Sequence, residues 1–499
     1  MELAQAVNLP PIDWHAIAPE LVLTAAACLV LVADLFLPDE AKWIAMPLSA
    51  AGLFGTLAAI VSLAGEERMT LAGSFEVDSF ALMFKALFCV IGLIVLALSL
   101  DYFRGGRFAQ GEYYFLLLCG LLGGVVMASA RDLISIFIAI ETISIPGIVM
   151  TALRKGDARS NEGALKFFLF SVLSSALMLY GMSLIYGVAG STNLDEINAA
   201  LPQQHEGLVA VSVFFVVIGF AFKVSAVPFH FWAPDTYEGS PPPVAAFLAS
   251  ASKIGGFVGL LVLMFRGFPS VADQWRPAFA VLAALTMTVG NLIALRQQHI
   301  IRLLAYSGVA QSGYMLVGFA LIGANAETNA QAFKATVIYI VIYGLMDLGA
   351  FAAAISFARR GGTYFISDYS GLWNRSPVLA GLMAAFLLSL AGVPPLAGMW
   401  AKLFVFLASI DAQVYWLAVV MGVNAIIAAW YYLAVVKRMF FDAPEVTERV
   451  ETPYLLRLAM GLAVLALVAA FVYPRLVTDL ADDSVLRGSG TEVEAMSSP

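Results

Sequence analysis

The chain has 499 residues, 61% of them hydrophobic and only 12% charged, with a formal net charge of −8. An ordinary soluble domain carries about 25% charged residues, so a string of soluble domains is excluded, and the charge suggests no nucleic-acid partner. The apolar residues instead fall in blocks of roughly 20–28, each long enough to cross a hydrocarbon core of about 30 Å as a helix.

Taken in chain order, these blocks predict an all-α polytopic membrane protein of about fourteen transmembrane helices. The first three, at 17–37, 43–64 and 77–102, make an N-terminal unit, residues 1–111. The first block runs into "ADLFLPDE" rather than a small-residue cleavage site, and so reads as a retained helix. Helices four to eight, at 112–130, 132–153, 161–189, 207–231 and 241–265, fill residues 112–266. Helices nine to thirteen, at 276–296, 299–322, 330–358, 378–409 and 413–440, fill residues 276–440. A last helix at 454–473 and the acidic tail "DLADDSVLRGSGTEVEAMSSP", expected to be disordered, complete residues 441–499.

The two five-helix groups read as repeats. "NEGALKFFLFSVLSSALMLYG" (161–181) aligns with "NAQAFKATVIYIVIYGLMDLG" (329–349) at a constant offset of 168, bringing Asn161, Lys166 and Gly181 onto Asn329, Lys334 and Gly349. "SAVP" (225–228) resembles "AGVP" (391–394), and each lies inside an apolar block, so helices 7 and 12 are expected to be broken. An odd number of helices per repeat inverts the second copy, and inverted repeats with broken helices are a recurrent transporter architecture. An even helix count puts both termini on one side. Roughly fourteen Lys and Arg follow odd-numbered helices against six on the opposite side, which makes the odd loops cytoplasmic and both termini periplasmic.

A charge at mid-bilayer costs about 2.5–3.5 kcal/mol on insertion scales, so deep charges face a bundle interior or a water-filled cavity. Lys223 lies deep in helix seven, Pro228 opens the helix just after it, and His230 follows the break. Lys253 and Lys402 lie mid-span in helices eight and twelve, each after a proline. Glu141 is central in helix five, and Lys166, less deep in helix six, is placed to pair with it. The plainer readings are a snorkelling or ion-paired lysine, a neutral Glu141 bonded to Ser144, and a His230 that braces the break. Lys85 and Lys334 read mainly as structural or near-interface, Asp34 and Glu20 as helix-end residues, and Asp347 is left undecided. Together, one Glu and several Lys or His on two broken helices read as a proton path across the bundle. The three cysteines, Cys28, Cys89 and Cys119, form no CxxC or Cys/His cluster, and no GxGxxG or GxxxxGK[ST] cradle exists, so metal and nucleotide sites have no support.

The segment "KVSAVPFHFWAPDTYEGSPPPVAAFLASASK" (223–253) resembles the most characteristic stretch of the antiporter-like subunits of respiratory complex I, a superfamily shared with Mrp-type antiporters and membrane-bound hydrogenases. The opening "IAPELVLTAAACLVLVADLF", a lysine at 402 in helix twelve, and a chain that ends soon after helix fourteen resemble the N branch of NADH-quinone oxidoreductase, equivalent to mitochondrial subunit 2. The resemblance implies a proton-translocating subunit whose path uses Glu141, Lys166, Lys223, His230, Lys253 and Lys402. It implies no redox centre in this chain, with FMN, Fe–S clusters and quinone held in or near partner subunits. It implies membrane-arm partners such as the M, K and J subunits, in a bacterial inner membrane. An Mrp-type Na⁺/H⁺ antiporter subunit and a non-pumping scaffold of the same arm are the alternatives.

Overall fold

The computed structural model describes residues 12–103, 110–323, 325–359, 363–444, 448–450 and 452–485. The loop arginines Arg104, Arg107, Arg360 and Arg487, which entered the charge count above, lie outside these residues.

Helices α1 (Ala18–Phe36), α2 (Ala45–Ser62) and α3 (Ser79–Phe103) form the N-terminal group. Between α2 and α3, where the sequence reading placed only a loop, Arg68–Thr70 (β1) and Phe75–Val77 (β2) pair as an antiparallel hairpin. Helices α4 (Gln110–Ser129), α5 (Leu133–Thr151) and α6 (Ala158–Ala189) follow. Asp132 starts α5 by accepting from the Ile134 and Ser135 amides at 2.8 and 3.3 Å, and Asp157 starts α6 by accepting from the Arg159 amide at 3.0 Å. Each carboxylate satisfies amides that have no partner within the first turn. A short surface helix, α7 (Leu194–Ala200), leads to α8 (Glu206–Lys223).

Helix α8 ends at Lys223, five residues before Pro228, and the chain resumes as α9 (Trp232–Gly239), so the expected break in helix 7 is present. α10 (Pro242–Phe247) and α11 (Lys253–Val262) belong to one continuous span, Pro242–Gly267, with two π-helical turns. Every residue of that span is buried by protein.

The second half runs through α12 (Ala272–Ala294), α13 (Ile300–Ala320) and α14 (Ala326–Ala358), the last started by Asn325, whose side chain accepts from the Thr328 amide at 2.8 Å. After α15 (Leu372–Arg375), α16 (Pro377–Ala391) stops at left-handed Gly392 and α17 (Gly398–Asp411) resumes beyond the prolines, which gives the expected break in helix 12. α6 and α14 have 32 and 33 residues and start 168 residues apart, the offset of the sequence match. The Val227–Pro228 and Pro394–Pro395 peptides, one in each break, are both cis.

Helix α18 (Tyr415–Phe441) precedes α19 (Tyr454–Val472). The start of the acidic tail, expected to be disordered, is instead helical, α20 (Arg475–Asp483), bent 84° from α19 and held to α14 by an Asp482–Lys334 contact of 2.5 Å. A strongly two-faced sequence of apolar Leu and Val against Asp and Arg gives it a face to pack; the tail beyond residue 485 lies outside the described residues. Among the described residues, eleven helices are long and apolar enough to span a membrane, or twelve counting the bent α19–α20 pair. The broken α16–α17 and the polar-rich α13 fall outside that count.

Candidate functional site

The break after α8 leaves carbonyls without helical partners, which only protein or water can satisfy at membrane depth. Trp232 Nε1 returns from α9 to donate to the Phe222 carbonyl at 3.1 Å, and the Val227 amide donates to Thr286 Oγ1 at 3.0 Å. The same device closes the second break. Lys402 Nζ donates to the Ala391 carbonyl at the end of α16 at 2.9 Å. Gly392 (φ +87°) leaves room for it: a Cβ there would stand 3.0 Å from Lys402 Cδ, so the lysine stem passes where any other side chain would be.

Lys223 is buried where α8 unwinds. Its ammonium donates to Ser144 Oγ at 2.6 Å and Ser171 Oγ at 2.8 Å, and stands 3.7 Å from Glu141 Oε1. Ser175 Oγ donates to the same Glu141 oxygen at 2.6 Å. Three helices, α5, α6 and α8, thus converge on one lysine and one carboxylate. Ser144 donates its own proton to the Ile140 carbonyl at 2.5 Å rather than to Glu141, so the alternative of a neutral Glu141 bonded to Ser144 is not what forms.

Lys166 is placed differently from the expectation. Its ammonium contacts Asp235 and Glu162, each at 2.6 Å, and over a third of its side chain is exposed. It lies roughly two and a half turns before Ser175, the α6 residue that does reach Glu141, which is some 13 Å along the axis. The expected Glu141–Lys166 pair is therefore replaced by Glu141–Lys223 and Lys166–Asp235. Asp235 also accepts from Arg302 at 2.8 Å. Burial pushes the Asp235 carboxyl up, but the hydrogen bonds from Lys166 and Arg302 outweigh it and leave it below the usual range. A polar surface cavity of about 260 Å³ opens beside this cluster, lined by Arg159, Glu162, Asp235, Glu238 and Arg302.

His230 lies within the break, two residues past Pro228, half-buried, its ring 6.3 Å from that of Tyr306. Lys253 is buried on α11 with its ammonium over the Tyr343 ring, 5.7 Å from the centroid. Lys402 places its ammonium 5.0 Å from the Tyr314 centroid. Between Lys253 and Lys402 runs a series of buried polar groups. Ser307 meets the Tyr432 hydroxyl, Gln311 Nε2 donates to Tyr432 Oη at 3.3 Å and to the Leu390 carbonyl at 3.0 Å, and Tyr339 donates to Gln311 Oε1. None of Ser171, Ser175, Gln311 and Tyr432 was singled out from the sequence, and Ser144 only as an alternative partner of Glu141. The serines carried a signal, since Ser171 and Ser175 are four apart on one face of α6. Asp347, left undecided, is wholly buried in α14.

Residues 130–428 match the family described as NADH:quinone oxidoreductase/Mrp antiporter, TM. The chain belongs to this family. A curated member, NADH-quinone oxidoreductase subunit N 2 of Streptomyces griseus, is 43% identical over 89% of this chain and 86% of its own length. Among solved structures, a chain of respiratory complex I from Thermus thermophilus with bound aureothin is 30% identical, with a TM-score of 0.79 over 92% of this chain and 98% of that one. A chain of the Mrp complex from Dietzia sp. DQ12-45-1b shares the fold, with a TM-score of 0.83 over 95% of this chain and 97% of that one at 20% identity. The broken helices, Lys223 and Lys402 on them and Glu141 all fall within the matched region.

A second charged group lies outside the lysine path. Arg131, only 1% exposed, holds Glu76 and Asp78 of the hairpin region at 2.8 Å each. Arg266 contacts Glu76 and holds Asp195 at 2.7 Å. These pairs fasten the hairpin to α5, α7 and the end of the Pro242–Gly267 span. Lys85, buried on α3, contacts Glu20 of α1 at 2.7 Å, so Glu20 is a paired residue inside the bundle rather than a free helix end.

Proposed function

We propose that this chain is a proton-translocating subunit of an NADH-quinone oxidoreductase, of the N type, built as two inverted five-helix repeats (112–266 and 276–440) behind an N-terminal unit and before a last helix. The observation that carries the reading is Lys223: an ammonium buried at a helix break, held by two serine hydroxyls with a carboxylate 3.7 Å away. A purely structural lysine gains nothing from a broken helix, whereas a proton carrier needs hydroxyls and unwound backbone around it.

The chemistry follows from charge. Glu141 attracts the Lys223 ammonium without a direct hydrogen bond, so a change in the carboxylate's surroundings alters the hold on the lysine's proton. The proton passes toward Lys253, then along the Ser307, Tyr432 and Gln311 groups toward Lys402. His230 and Lys166 flank this line, Lys166 at the polar cavity beside Asp235. Electron transfer belongs to partner subunits holding FMN, Fe–S clusters and quinone; neighbours of the M, K and J type are the expected contacts. The membrane is the bacterial inner membrane, with both termini periplasmic.

The test is Lys223→Ala in the native membrane, following NADH-driven quinone reduction and proton uptake into vesicles together, with assembly checked on a native gel. Loss of both in an assembled complex is the expected result. Unchanged activity makes the chain a scaffold. If NADH turnover is independent of this chain and Na⁺ tolerance is lost, the Mrp-type reading, which the shared fold supports, replaces this one.

A further inference from the structure

We propose that Asp347 is the acid partner of Lys253, so that the second half of the path contains its own acid–lysine pair. This rests on the proton-translocating reading above. At the repeat offset of 168, Glu141 falls on Val309, and α13 contains no acid at all. The second half therefore has no counterpart of Glu141 where the repeat would put one. Asp347 supplies it from a different helix, α14.

Four observations meet there. Asp347 is wholly buried, and both its carboxylate oxygens lack a hydrogen-bond partner among the described residues. Lys253 Nζ is likewise buried and without one. The lysine sits over the ring of Tyr343, which lies one turn before Asp347 on the same face of α14. The site is closed by Gly308 of α13, where a Cβ would stand 2.7 Å from Lys253 Nζ and 3.2 Å from Tyr343 Oη. The two charges interact, and the other titratable groups that feel Asp347 are the phenols of Tyr343 on α14, Tyr237 on α9 and Tyr432 on α18. A buried charge without an opposite charge is costly, and here each supplies the other's.

The pair holds one proton in either of two places, as ammonium with carboxylate or as amine with carboxylic acid, and is neutral in both. A proton arriving from Lys223 makes it positive. The excess proton then leaves through Ser307, the residue before Gly308, and the Tyr432 hydroxyl that meets it. The pair acts as a relay whose charge returns to zero after each transfer.

The experiment uses Asp347→Asn in the assembled complex in native membranes, reading protons taken up per NADH oxidised, with Lys223→Ala alongside. Asn keeps the shape and removes the acid. The ratio is expected to fall by about fivefold or more, the lower end of coupling between linked sites, and Asp347→Glu to restore most of it. An unchanged ratio in Asp347→Asn while Lys223→Ala is defective overturns the pair and leaves the proposed function standing. Unchanged quinone reduction and unchanged proton uptake in both variants overturn both. A Glu variant as defective as the Asn variant shows a need for shape rather than acid and overturns the pair. If Asp347→Asn fails to assemble, the double variant Lys253→Met/Asp347→Leu decides: restored assembly supports the pairing, and continued failure overturns it.

Discussion

Glu141 stands 3.7 Å from the Lys223 ammonium, close enough to feel its charge and too far to bond to it. The direct bonds come from Ser144 and Ser171. Removing either hydroxyl leaves an ammonium donor unmade inside the bundle, at a cost of about 1–3 kcal/mol. Ser144→Ala and Ser171→Ala are each expected to lower thermal stability by that much, and the double variant to lose most proton uptake. Normal uptake in the double variant would remove the serines from the path.

Arg131 is a buried structural anchor outside that path. Arg131→Leu leaves Asp78 without its arginine and Glu76 with Arg266 alone, and breaking a buried pair on one side costs about 3–5 kcal/mol. The expected result is a protein that unfolds at markedly lower temperature in detergent, measured by thermal aggregation. A loss below about 1 kcal/mol, the range of an exposed pair, would mean that the hairpin does not depend on this clamp.

Arg266 gives this region a dependence on acid. Its hydrogen bonds to Asp195 hold that carboxyl below the usual range. A depressed folded value means stability that is fully present above the unfolded value of about 3.9 and is lost as the pH falls through the lower folded one. Acid titration of unfolding is expected to show this loss below about pH 4 in the parent chain. Arg266→Gln should flatten it; an identical acid profile in that variant would assign the dependence to other carboxyls.

Gly308→Ala tests the packing around Lys253 without substituting a charged residue. The new methyl would stand 2.7 Å from Lys253 Nζ, the free end of a flexible side chain, so the lysine shifts rather than the backbone. Stability is expected to change little while proton uptake falls. A variant with normal uptake would show that the ammonium's position over Tyr343 is not needed.

The breaks were legible because proline inside a long apolar block has few other meanings, and Pro228 and Pro394 both stand at them. The depth of Lys223 and Glu141 was legible from their distance to block ends. Their pairing was not, because it depends on which turn of α6 lies level with Glu141, and that turn carries Ser175 and not Lys166. Asp347 stood out as a charge inside an apolar block, but its role was not legible, since Lys253 lies on another helix nearly a hundred positions earlier. The hairpin was missed because three-residue strands are too short to show alternation, and its worth lies in Glu76 and Asp78 meeting arginines distant in sequence.

The span Pro242–Gly267 touches no lipid in the finished fold. Part of its wall is α3, α4 and α8, which precede it, and part is α14, which is made later. On leaving the ribosome the segment therefore enters the bilayer with one side open and Lys253 facing a place that α13 and α14 have yet to fill. Its leucines, valines and phenylalanines must outweigh that lysine alone, at roughly 0.3–0.6 kcal/mol apiece against 2.5–3.5. The greasiness of a helix that never meets hydrocarbon at maturity is thus a requirement of its birth, and polar changes tolerated by the folded protein would still be lost at insertion.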